Sequence, residues 1–267
     1  MSGHSKWKKI KRQKESSDQK KGNLFTKLGQ AITTGVKEGG GKNPDMNFML
    51  RIALDKAKEA NMPKDTIERA IDKGAGISDK GSMEDVTYEV VGEGGVAILI
   101  DCMTDNRNRT ISEIRNILSG ISGFSIGSGS VGWQFKSRGR VVIQPFIKEE
   151  VVIKGKKEIK YNEASKEDLI LEIMEIEGVE DISERKDKDE EGEEVSVIDV
   201  FVDRNKLQYV YNEFEKKNIK ILKAEIVKIA KNEIDVDEKV RERINTVIKQ
   251  IEALEDVSAV WTNINLQ

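Results

Sequence analysis

The sequence predicts an α+β chain of more than one domain, with an all-helical N-terminal part followed by strand-rich α+β parts. Three observations carry this expectation. Apolar residues recur at three and four until about residue 75. After Gly81 the pattern changes to β-rich runs separated by glycine turns, and single helical stripes then alternate with further runs of that kind. The length of 267 residues accommodates about two domains of roughly 150 residues, or three smaller ones.

In the helical part, Leu24, Phe25, Leu28, Ile32 and Val36 share one face, and the run stops at the three glycines 39 to 41. Asn43 and Pro44 offer a cap and a first-turn proline for a second helix carrying Met46, Leu50, Ala53, Leu54 and Ala57. Pro63 opens a third with Ile67, Ala70 and Ile71, which Gly74 stops.

Next, DVTYEVV (85–91) and VAILIDCMT (96–104) read as a hairpin about GEGG. Thr110 and Glu113 have the spacing of a capping box on a helix whose stripe is Ile111, Ile114, Leu118 and Ile121. VGWQF (131–135) and RVVIQ (140–144) are strand-like. Beyond Pro145, VVIKGKKEIKY (151–161) reads as a charged hairpin about Gly155. Ser165 and Asp168 cap a helix with Leu169, Ile173 and Ile176 that ends at Gly178; 194–202 alternates as a strand; and a helix after Asp203 carries Leu207, Val210, Tyr211 and Phe214. A strand over 219–230, a helix and a strand over 257–261 close the chain. The last helix spaces Val240, Ile244, Val247, Ile251 and Leu254 four and three apart over only about two heptads, a pattern that is more often a core stripe than a coiled coil.

Composition narrows the function. The longest aliphatic run, Val96 to Ile100, is far below the roughly 20 residues of a membrane helix, so no membrane partner is expected. The N-terminus is basic without an apolar stretch behind it, which does not fit a secretory signal and points to the cytoplasm. Cys102 is the only cysteine and His4 the only histidine. No intramolecular disulfide or cysteine-rich metal site can be assembled, metal and acid–base chemistry lose their usual residues, and no catalytic residue, metal, cofactor or small-molecule substrate is expected. Cys102, among aliphatic residues, reads as a small core residue. DKDEEG (187–192) begins like a calcium loop but has Ile198 where the bidentate acid belongs.

Charge is unevenly spread. Residues 1–80 hold 18 Lys and Arg against 10 Asp and Glu, a net of +8; residues 141–267 hold 21 against 31, a net of -10; the whole chain is at -3. A positive field confined to one end suggests a polyanion-binding module. Its candidate contacts are His4, Ser5, Lys6, Trp7, Lys8, Lys9, Lys11, Arg12, Lys14, Lys20, Lys21 and Lys27. The cations can neutralise phosphates and Trp7 can stack on a base; the plainer reading is a solvated terminus.

In TDNRNRT (104–110), Arg107 and Arg109 stand beside a helix N-terminus, where free N–H groups attract anions. The segment reads equally well as a second phosphate contact and as a self-satisfied loop in which Asp105 pairs with an arginine. GISGFSIGSGSVGW lacks the lysine of a P-loop. Its glycines permit either a mobile connection or close approach to a partner. TKLGQAITTGVK offers Lys27 and Gln30 to a base edge, without a helix-turn-helix pattern around them.

GHSKW at 3–7, KKGNLFTKL, the glycines 39–41, NMPKDTIERAI at 61–71, the GEGGVAI segment and TDNRNRT together resemble the YebC/PmpR family, over essentially the first 136 residues and more weakly beyond. The resemblance implies three domains: 1–80, basic and helical; 81–139 with 220–267, discontinuous α+β; and 140–219, an acidic α+β domain inserted in the second. The element order alone does not reveal that interruption. The resemblance also implies a nucleic-acid partner, ribosomal RNA or DNA. Members are described as DNA-binding transcriptional regulators or as ribosome-associated translation factors that relieve stalling at proline-rich stretches. Carried over on matching motifs are His4, Ser5, Lys6, Trp7, Lys20, Lys21, Phe25, Lys27, Arg107 and Arg109. GFSIGSGSVGWQF departs from the family's usual glycine loop, and 148–161 looks like an extension of the third domain.

Overall fold

A computed structural model describes residue 22 and residues 24–77, 84–120, 123–153, 156–188 and 193–265. The chain forms two compact units, one of Met1–Phe135 with Ala230–Gln267 and one of Lys136–Ile229.

The first unit begins with three helices, α1 (24–38), α2 (Phe48–Glu59) and α3 (Lys64–Gly74). Leu28, Ile32 and Val36 of α1 pack with Leu50, Ala53 and Ala57 of α2 and with Ala70 of α3. Two of the sequence-predicted boundaries move. Asn43 does not cap α2: its Oδ1 accepts from the Asp45 N–H at 3.0 Å in a turn of its own, and Met46 is left exposed. The cap is Asn47, fully buried, whose Oδ1 accepts from the Leu50 N–H while its Nδ2 donates to the carbonyls of Gly35 and Gly41. Nor does Gly74 stop α3, which it completes. A Cβ there would lie 2.7 Å from the Thr33 carbonyl oxygen and 2.7 Å from the Val36 Cβ. The glycine lets α3 lie against α1, and the left-handed turn falls at Gly76, with φ +74°.

A four-stranded antiparallel sheet follows in the order β3-β1-β2-β9, from β1 (Glu84–Val91), β2 (Ala97–Thr104), β3 (Ser125–Ile126) and β9 (Val257–Thr262). The β1–β2 hairpin turns through Gly94 and Gly95, both at positive φ, as the sequence predicts. One face of the sheet carries Tyr88, Val90, Ile98, Ile100 and Cys102. Against these pack Ile114 and Leu118 of α4 (Arg107–Leu118) and Ile244, Val247, Ile248 and Ile251 of α7 (Glu238–Glu252). The stripe on α7 is therefore core, as its spacing indicates. Alternation sends Ala97 and Leu99 to the other face, where they meet Val131, Phe135 and Trp261.

In the second unit, β4 (Phe135–Ile153) pairs with β5 (Lys156–Glu163), with β7 (Glu194–Val202) and with β8 (Ile219–Ala230), and β7 pairs in turn with β6 (Val179–Lys188). Helices α5 (Lys166–Met174) and α6 (Leu207–Lys216) bury Leu169 and Ile173, and Leu207, Val210, Tyr211 and Phe214. Ser165 caps α5 through the Asp168 N–H, as predicted.

Two readings change and one strand is new. β4 runs on through Pro145, which is buried and whose carbonyl accepts from the Ala164 N–H at 2.9 Å. VGWQF is not a strand but a 3-10 turn at Gly132–Gln134 that leads into β4. β6 had no expectation at all, because VEDISERKDK has too few apolar positions to show its alternation.

Candidate nucleic-acid interface

The sequence-predicted contacts fall in different places. His4, Ser5, Lys6, Trp7, Lys8, Lys9, Lys11, Arg12, Lys14, Lys20 and Lys21 lie outside the described residues. Lys27 is exposed on α1, while Phe25 on the same helix packs against the helical core. Gln30 is committed elsewhere: its Nε2 donates to the Glu255 carbonyl at 2.6 Å. Arg107 and Arg109 stand together at the start of α4.

The loop that presents these arginines is built around Asp256, in the turn between α7 and β9. Its Oδ2 lies 3.0 Å from the Thr104 hydroxyl, 2.7 Å from the Thr110 hydroxyl and 2.8 Å from Arg109 Nη2, which also reaches Oδ1 at 2.9 Å. The Asp256 side chain is only 7% exposed. Burial on its own would raise this carboxyl, but hydrogen bonds from Thr110, Arg109 and Thr104 outweigh it and hold the group below its ordinary range. The Thr104 hydroxyl also accepts from the Asn106 N–H at 2.9 Å, so the carboxylate and the loop backbone share one network.

Thr110 is therefore not the cap. Asn106 is, with extended backbone at φ −146° and an Oδ1 that accepts from the N–H groups of Asn108 and Arg109, both at 3.1 Å. Donors that the sequence leaves free for an anion are occupied by this side chain. Thr110 lies one turn inside the helix with its hydroxyl turned to Asp256. The Tyr88 hydroxyl donates to the Arg107 carbonyl at 3.0 Å and fixes the loop from below.

Both guanidiniums are steadied by acids. Arg107 Nε meets Glu84 at 2.5 Å, and Arg109 Nη2 meets Asp105 at 3.0 Å in addition to Asp256. They nonetheless keep 62% and 47% of their side chains exposed. The helical part is tied to the same turn through the Gln30 bond to the Glu255 carbonyl. Lys73 of α3 is half-buried, and burial lowers its pKa below the usual lysine value although Asp256 and Glu255 act to raise it.

The glycine-rich stretch forms a second construction. The N–H groups of Gly129, Val131 and Gly132 donate to the Glu89 carboxylate of β1 at 3.0, 2.7 and 2.8 Å. Burial pushes the Glu89 carboxyl up, and those backbone donors bring it below the ordinary range. This is a backbone nest filled by the chain's own carboxylate. It explains why Val131 and Gly132 do not pair as a strand. Neither Asp256 nor Glu89 stands out in the sequence, since each acts on a segment at least 40 residues away.

Cys102 is buried, and burial with Asp101 and Asp256 nearby pushes its thiol up to about 12. Among the described residues, no three or more His, Cys, Asp or Glu side chains gather to hold a metal ion, and no helix is long and apolar enough to cross a membrane.

The chain belongs to the TACO1/YebC family. The model of the TACO1/YebC protein N-terminal domain matches residues 5–77, and that of the TACO1/YebC second and third domain matches residues 83–264. A "Probable transcriptional regulatory protein" of Herpetosiphon aurantiacus is 37% identical over 100% of this chain and 95% of its own length. One from a Nitratiruptor strain is 39% identical over 98% and 99%. A solved structure of a conserved hypothetical protein from Aquifex aeolicus superposes with a TM-score of 0.71 at 33% identity, covering 91% of this chain and 90% of that one.

Proposed function

We propose that the chain is a non-enzymatic regulator of gene expression that binds nucleic acid through its basic domain, residues 1–80. Its target in this reading is RNA held in a ribosomal particle, where it acts as a translation factor that relieves stalling at proline-rich stretches. The observation that carries the reading is the polarity of charge, +8 over residues 1–80 against -10 over residues 141–267. An acidic remainder repels bare duplex but is compatible with a particle that mixes RNA with basic proteins. The arm from His4 to Lys21 and Lys27 supplies the phosphate contacts and Trp7 a stacking surface. Arg107 and Arg109 enter the same proposal as guanidiniums steadied by carboxylates. Residues 81–139 with 220–267, and the insert 140–219, position the molecule or meet protein.

The second reading, a DNA-binding transcriptional regulator, is favoured by the name that the relatives carry. The two separate in a binding assay on structured RNA and on random duplex DNA across a salt series, with the full chain and with residues 1–21 removed. The proposal expects tighter binding to RNA and a steep salt dependence that the deletion flattens. For about six phosphates on duplex DNA the log–log slope is about -5. Tight, site-selective duplex binding that survives the deletion overturns it.

A further inference from the structure

Trp133 is 69% exposed, the most exposed aromatic side chain among the described residues. It is also held from several sides. Its Nε1 donates to the Ser130 carbonyl at 3.0 Å, so the indole's one polar group is used internally. The preceding residues are pinned by Glu89 through the N–H groups of Val131 and Gly132. Its carbonyl accepts from Lys231 Nζ at 2.7 Å, and the Lys231 N–H donates to the Gln134 carbonyl at 2.8 Å. Val131 and Phe135 on either side are buried in the core.

An apolar ring fixed in this way has no internal packing to account for it. Holding it in place ahead of contact removes the ordering cost that a mobile side chain would incur on binding. What remains is an indole 69% exposed and, on the backbone carbonyl of the same residue, a lysine. Lys231 uses one of its three donors on the Trp133 carbonyl and pairs with no carboxylate among the described residues.

We infer that Trp133 and Lys231 form a site for one unpaired nucleotide, with the base stacked on the indole and the phosphate on the ammonium. This site shares no residue with the basic arm, and it rests on the nucleic-acid reading above. Indole stacking tolerates any base, but it needs a base that is not already stacked in a duplex.

The test uses the full chain, a short unstructured RNA strand, and the same sequence annealed as a duplex, with binding followed by anisotropy of a labelled RNA. Trp133→Ala is expected to weaken single-strand binding by about tenfold. It should leave duplex binding and the salt slope unchanged, because the indole carries no charge. Trp133→Phe, which keeps a ring, should recover most of the loss. If the parent chain binds both RNAs and Trp133→Ala binds the single strand equally well, the site is overturned and the indole is left to a protein partner. If the parent chain binds neither RNA, the nucleic-acid reading itself falls.

Discussion

Arg109 and Asp256 are 147 residues apart in the chain and joined by two contacts of 2.8 and 2.9 Å. The first opens α4 and the second precedes β9, so the pair closes the loop 104–110 onto the C-terminal part of the same unit. Thr104 and Thr110 fill the remaining side of the carboxylate.

Replacing Asp256 by Asn keeps the shape and loses the charge. Two hydroxyls and a guanidinium then face an amide, and the expected loss is about 1–3 kcal/mol at neutral pH in urea unfolding. The loss should depend on pH. A carboxyl held low in the folded state contributes stability that is complete above its unfolded value of about 3.9, and that contribution disappears as the pH falls through the lower folded value. The gap between Asp256→Asn and the parent should therefore narrow in acid; a gap that stays constant down to full protonation contradicts the assigned network.

Glu89→Gln replaces one acceptor oxygen by an amide that would point hydrogens at the nest of Gly129, Val131 and Gly132. Amide hydrogen exchange at these three positions should accelerate while β2 stays protected. Equal protection in the variant would mean that the nest does not hold the loop.

Gly74→Ala would ordinarily favour a helix by about 1 kcal/mol. Here the added carbon meets a backbone oxygen and the Val36 Cβ, both at 2.7 Å. Thermal unfolding should show a loss of about 1–3 kcal/mol. A gain would show that α1 and α3 are not in close contact at this point.

Cys102 should react with a thiol reagent at mildly alkaline pH only after denaturation, since its thiol is buried and burial pushes it up to about 12. Rapid reaction of the native chain would contradict its place in the core.

Local signals were legible wherever a residue answers to its own neighbours in sequence. The stripe of α1 apart from Leu24, which is exposed, the stripes of α6 and α7, the β1–β2 hairpin and the Ser165 cap all emerge from spacing alone. What the pattern hides is side-chain commitment at a distance. Asn43 and Asn47 look alike as caps, and only the Gly35 and Gly41 carbonyls from the preceding helix end choose the second. Thr110 has capping-box spacing but turns to an acid 146 residues later. Of the candidate interface, the TDNRNRT loop could be located in the sequence, whereas Asp256, Glu89 and the exposed face of Trp133 have no local signature. The arm carrying His4 to Lys21 is an expectation from charge and family resemblance alone.

Gradient sedimentation of cell extract bears most directly on the central claim. The account predicts that the full chain co-migrates with ribosomal particles, that high salt releases it, and that removal of residues 1–21 leaves it at the top of the gradient. A chain that never enters the ribosomal fractions, and instead binds chosen duplex sites tightly, would contradict the account.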